Sequence, residues 1–255
     1  MAVLMKKLIL GSMALAAMIA RPALAADMAV KAPPIAPPIA APVYSWTGCY
    51  IGGNVGGAWA HKTTTWNYLN GPSSPVNEGS LTASGWAYGG QIGCDYQFNN
   101  NWVVGIRGMW DGSDMRGSEP WTTIPADFSN YKIDSFGTVV GKIGVLLNPT
   151  FELYGLAGVA WVRDNLSFTC CNIGTYAIGD QTRTGYDVGV GIAWMFARNL
   201  DLFVEYDHMG FGTKFLYLTG VGLAAGNLYG ANVEQSVDKV LVGIDYHFGA
   251  PVVAK

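Results

Sequence analysis

The strongest constraint on this chain is an alternation of side chains with a period of two. From Ser84 to Phe98, Trp86, Tyr88, Ile92, Tyr96 and Phe98 alternate with Ala87, Gly89, Gln91, Asp95 and Gln97. Successive side chains of a strand point to opposite faces, so this segment has one apolar face and one small or polar face over roughly 15 residues. That length suits a tilted strand that crosses a bilayer and extends beyond it.

The pattern recurs along the chain. Trp102, Val104, Ile106 and Trp110 face one way while Arg107 and Met109 face the other. Later segments present Tyr186, Val188, Val190, Ile192, Trp194 and Phe196, then Leu202, Val204 and Tyr206, then Val242, Ile244, Tyr246 and Phe248. The stretches from Ile133 to Leu147 and from Phe151 to Trp161 alternate less cleanly, because Leu146 and Leu156 fall on the polar side. A helical period explains none of these segments.

Composition says where the apolar faces go. The chain is 50% hydrophobic but only 13% charged, with 34 glycines, nine tryptophans and thirteen tyrosines. Soluble domains carry about 25% charged residues. Past the first 25 residues, no apolar run is long enough for a membrane helix. A closed antiparallel barrel satisfies every backbone group without a helix, so these features predict an all-β transmembrane barrel of the outer-membrane type. A lipocalin-like soluble barrel is the rival fold, but it would turn its polar face outward. Glycine fits a narrow barrel too, at bends and where the lumen is crowded; Gly52, Gly53, Gly56 and Gly57 lack the spacing, lysine and following helix of a phosphate loop.

Connections alternate in length. Asn99 to Asn101, Asn148 to Thr150 and Ala197 to Asn199 read as tight turns, whereas the links near 60–82, 112–131, 167–184 and 212–235 read as long loops. Short turns belong to the periplasmic end of an outer-membrane barrel and long loops to the outside. Seven connections predict an eight-stranded antiparallel barrel with both termini in the periplasm.

Residues 1–25 have the order of an export signal: Lys6 and Lys7, an apolar run from Leu8 to Ala20, then Ala23, Leu24 and Ala25. The run is too short to span a bilayer. Cleavage is expected after Ala25, removing Lys6, Lys7 and Arg21 and no acid, so the net charge moves from −3 to −6. An acidic mature chain carries no basic footprint for nucleic acid. Residues 26–43, with Pro33, Pro34, Pro37, Pro38 and Pro42, read as a stiff periplasmic linker, residues 44–249 as the barrel, and 250–255 as a short tail.

Aromatic residues gather at both ends of the expected strands. Tyr96, Phe98, Trp102, Phe151, Phe196 and Phe248 mark the periplasmic side, and Trp59, Trp86, Trp110, Trp161 and Tyr186 the outer side. Rings of this kind prefer the headgroup zone.

The expected lumen face collects Gln91, Asp95, Arg107, Asp111, Lys142, Glu152, Asp187, Glu205, Asp207, Lys239 and Asp245. The interior of an eight-stranded barrel is barely wider than its side chains, so these groups are expected to pair in a packed network. The alternative is a narrow diffusion pore whose walls they line. Folding the first two strands about their loop sets Cys49 opposite Cys94 on the outward face, where a disulfide suits an oxidising compartment. Cys170 and Cys171 lie together in the third long loop, and four cysteines leave three connectivities open. His61, His208 and His247 are scattered, without ligand-like spacing for a metal. A lipid-modifying barrel enzyme would need a nucleophile system at the rim, for which His208 near Asp207 is the nearest candidate without an adjacent serine. No catalytic residue, cofactor or metal is therefore expected, and the chain reads as a protein without enzymatic activity.

Several stretches resemble the outer-membrane immunogenic protein family of alphaproteobacteria, small porin-like barrels related to OmpA-type domains. They are ADMAVKAPP from Ala26, WTGCYIGGNVGGAW from Trp46, GGQIGCDYQF from Gly89, LYGLAGVAW from Leu153 and VGIDYHFG from Val242. The resemblance implies an eight-stranded outer-membrane barrel with exposed loops and a structural or antigenic, adhesion-type role, and it transfers no catalytic residue. Such barrels usually end on an aromatic residue read by the barrel-assembly machinery, whereas here Phe248 is followed by Gly249 to Lys255. The expected surroundings are outer-membrane lipid and lipopolysaccharide, with Trp59–Thr82 and Lys214–Glu234 as the regions of surface contact.

Overall fold

The computed structural model describes residues 44–68, 76–120, 127–170, 174–220 and 228–248. The expected signal peptide, linker and tail, and Cys171, lie outside the described residues. The strands are β1 (Gly48–Tyr68), β2 (Val76–Phe98), β3 (Trp102–Ser113), β4 (Arg116–Pro120), β5 (Asp127–Asn148), β6 (Phe151–Cys170), β7 (Gly174–Ala197), β8 (Leu200–Gly220) and β9 (Leu228–His247).

All pairings are antiparallel, and β1 pairs with both β2 and β9, which closes the sheet on itself. β3 and β4 share one place between β2 and β5, so the ring is eight strands around. Closure leaves no edge with unpaired backbone groups, which a hydrocarbon layer requires. Among the described residues no helix is long and apolar enough to cross a membrane.

Asn99–Asn101 and the short links at 149–150 and 198–199 are tight turns at one end. Asn99 and Asn100 adopt φ of 49° and 60°, a left-handed geometry that asparagine tolerates better than most residues. At the other end the strands run far into the segments that the sequence suggests are loops. β1 continues to Tyr68, β2 begins at Val76, β6 reaches Cys170, β7 begins at Gly174 and β8 reaches Gly220. Beyond the lipid the outward face meets water, so its residues turn polar and the hydrophobic period fades while the ladder continues.

One interval of the wall departs from this ladder. β7 pairs with β8 up to Tyr186↔Gly210, and pairing resumes only at Ile178↔Thr219. Between them, residues 179–185 and 211–218 face each other across a window without ladder pairs. Phe211 is the extra residue of a bulge against β9, and Gly212 beside it has φ of 61°.

The outward wall is apolar: Trp86, Tyr88, Ile92, Trp110, Ile143, Val190 and Phe248 are all exposed. The aromatic residues of both expected girdles lie on this face. Inside, large rings lie over glycines of the next strand. Tyr154 faces Gly191 and Tyr50 faces Gly93, and a Cβ at either glycine would overlap the tyrosine ring.

Candidate functional site

Three layers of polar side chains fill the interior, each built from alternate residues of several strands. At the periplasmic mouth, Trp46 is buried ahead of β1, its indole N–H donating to the Pro149 carbonyl at 3.2 Å and its backbone N–H to Gln97 Oε1 at 3.1 Å. Its ring meets His247 edge-on, and His247 Nε2 lies 2.5 Å from Asp201 Oδ2. Just above, Gln91 donates to Asp245 at 2.7 Å and accepts from Asn54 at 2.8 Å. Lys142 is shared between Asp95 and Glu152, the latter at 3.1 Å.

The middle layer centres on Arg107, whose two terminal nitrogens donate to the two oxygens of Glu205 at 2.8 and 2.5 Å. Tyr154 adds a third donor to Glu205 at 2.7 Å. Beside it, Lys239 bridges Asp111 at 3.1 Å and Asp207 at 3.3 Å, with Asp187 buried nearby in the same interior. A dry interior tolerates such charges only when each finds partners. Here the carboxyls outnumber the cations, which is why Lys142 and Lys239 each serve two.

An upper layer lies beyond the outer aromatic belt. Asp164 is reached by Lys62 Nζ at 3.2 Å, Arg183 Nε at 3.3 Å and the Tyr131 hydroxyl at 2.7 Å, and Gln235 donates to that hydroxyl at 2.9 Å. Lys62 also sits 3.2 Å from the centre of the Tyr131 ring. Sequence reasoning misses this layer because its members fall in segments that read as loops or at unclean strand ends. Asp201 was legible by parity, since it lies two residues from Phe203 and four from Glu205 on the same face.

Within the lower lumen, between Trp46, Arg107, Lys142 and Asp245, lies a cavity with about 10 Å³ of room for the centre of a water-sized sphere. That is about the least volume that accommodates one water.

On the outward face, Cys49 and Cys94 are opposite each other in register and joined, with sulfurs 2.12 Å apart. Cys170 ends β6. His208 is not matched with Asp207, which points into the lumen at Lys239. Because adjacent residues of a strand face opposite sides, His208 instead turns outward to Asp238 of β9, Nδ1 to Oδ1 at 2.8 Å. The Tyr206 hydroxyl donates to the same oxygen at 2.7 Å. His61 pairs with the Thr82 hydroxyl, and among the described residues no cluster of His, Cys, Asp and Glu could hold a metal.

A closed antiparallel ring with an apolar outer wall, aromatic belts and a charged, packed interior defines the class of outer-membrane β-barrels. The chain belongs to the family described as "Outer membrane protein beta-barrel domain", whose model matches residues 13–248. It is 33% identical over 259 residues to the 31 kDa outer-membrane immunogenic protein of Brucella melitensis, covering 96% of this chain and all of that one. The same protein of Brucella suis matches equally. Among solved structures, the outer membrane protease OmpT of Escherichia coli aligns at 14% identity and TM-score 0.49, covering 78% of this chain and 97% of that one. OprG of Pseudomonas aeruginosa aligns at 13% identity and TM-score 0.48, covering 81% of this chain and all of that one.

Proposed function

We propose that this barrel is a structural component of the outer membrane that conducts nothing and catalyses nothing, and that it carries its strand extensions and loops as surface for antigenic and adhesive contact. The observation behind this reading is the lower lumen, where ion pairs reach across the barrel beside a cavity of about 10 Å³. A water thread for ions needs a continuous path, and salt-bridged side chains from β3, β5, β6 and β8 stand in it. Lipid and lipopolysaccharide surround the wall, and the assembly machinery inserts it. The name of the Brucella relatives, immunogenic proteins, is in keeping with exposed strand extensions.

The test is planar-bilayer recording of the refolded mature chain, with lipid A turnover measured on the same preparation. Flat traces and unchanged lipid are expected. Stepwise conductance would replace this reading with a narrow diffusion pore, and turnover would replace it with a lipid-modifying enzyme.

A further inference from the structure

A groove lies on the outer side of the wall above the outer belt, with a cavity of about 1040 Å³ bordered by Arg116, Asn130, Lys132, Asn165, Asp180 and Tyr217. These side chains belong to the outward face: Arg116 follows buried Met115, Lys132 follows buried Tyr131, and Tyr217 follows buried Leu216. Tyr217 is 72% exposed. Asn165 is four residues beyond Trp161 and Ile178 eight beyond Tyr186. A strand residue tilted at 45° advances roughly 2.4 Å along the axis, which sets the groove roughly 10 to 20 Å above the belt.

Three exposed cations gather at this height, beside the acids Asp134 and Asp180. Among the described strand residues, the exposed outward-facing cations are Arg116, Lys132 and Arg163, on the neighbouring strands β4, β5 and β6. Lys62, Arg107, Lys142, Arg183 and Lys239 are committed to the interior. Arg116 and Lys132 stand directly opposite in register. Like charges so placed on a sheet repel, a cost that an anion between them would remove. Lys132 is held by Asp134 at 2.7 Å and Arg163 reaches Asp180 at 4.0 Å, while among the described residues no ion pair engages Arg116. Around the cations stand amides, hydroxyls and the Tyr217 ring, groups that hydrogen-bond and stack on sugars.

We infer that this groove binds the acidic inner-core sugars of lipopolysaccharide in the surrounding leaflet, with Arg116 and Lys132 meeting their phosphate or carboxylate groups and Tyr217 lying against a ring. The inference rests on the membrane reading above and gives its lipid partner a site. Height and the lateral direction of the groove favour a ligand anchored in the same leaflet over a soluble one.

The experiment compares the mature chain with its R116Q/K132Q variant in detergent, both first shown to be folded by a heat-shifted gel band. Native mass spectrometry measures affinity for deep-rough lipopolysaccharide, which carries lipid A plus the acidic inner core, and for lipid A alone. The wild type should prefer the former by about tenfold, and the variant should bind both alike. Equal binding by the wild type, or an undiminished preference in the variant, overturns the site. Tighter binding of the wild type to the free inner-core oligosaccharide, without lipid A, than to the deep-rough lipopolysaccharide would also overturn it, in favour of a soluble glycan. Failure of the membrane reading is distinct, because the wild type would then show no heat-shifted band.

Discussion

Arg107 and Glu205 meet in a two-pronged ion pair across the lumen, although 98 residues separate them in the chain. Both are buried, and Tyr154 donates to the same carboxylate. Removing one partner leaves the other charge dry and unpaired. Glu205→Ala or Arg107→Met alone should destabilise the barrel by about 3–5 kcal/mol, measured by urea unfolding in lipid vesicles. The double replacement Arg107→Met with Glu205→Leu should cost clearly less than the sum of the two singles. Additive losses would show that the pair is not coupled.

The Cys49–Cys94 bond joins residues 45 apart on strands that are already paired. In a chain with Cys170 and Cys171 replaced by serine, a maleimide should label the folded protein only after reduction. Cys49→Ser should then lower stability by about 2–4 kcal/mol. Labelling without reductant would mean that the two thiols are free.

Glycine tolerance should follow the inward rings. Gly191→Ala sets a methyl against the Tyr154 ring and should cost about 1–3 kcal/mol by the same unfolding measurement. A methyl at Gly57 would meet nothing within 4 Å, so Gly57→Ala should change stability by no more than about 0.5 kcal/mol. A reversed ranking would contradict the packing of Tyr154.

The window between β7 and β8 should be visible in hydrogen exchange. Along residues 179–185 and 211–218, amides that point toward the opposite strand have no ladder acceptor, so about every second one should exchange quickly. The continuous pairing from Val188↔His208 to Met195↔Asp201 should be protected. Uniform protection across both stretches would mean that the ladder is closed in the membrane.

The transmembrane half of this architecture was legible because lipid outside and packed charge inside impose opposite demands on alternate residues. Gln91, Arg107 and Glu205 could be assigned to one face by parity alone. Their partners could not, since which cation reaches which acid depends on register around a closed ring. A single bulge such as the one at Phe211 shifts β8 against β9 and decides that His208 faces Asp238. The extensions above the outer belt, with Lys62, Asp164 and Arg183, were hidden for a different reason. Water on one side and polar packing on the other give similar residue types to both faces, so alternation no longer reports the strand.

Trp46 depends on three distant parts of the ring at once: Gln97 at the end of β2, Pro149 in the β5–β6 turn and His247 at the end of β9. Its pocket therefore does not exist until the first and last strands have met. The indole is a latch that engages only on a finished circle, so its burial marks the completion of assembly.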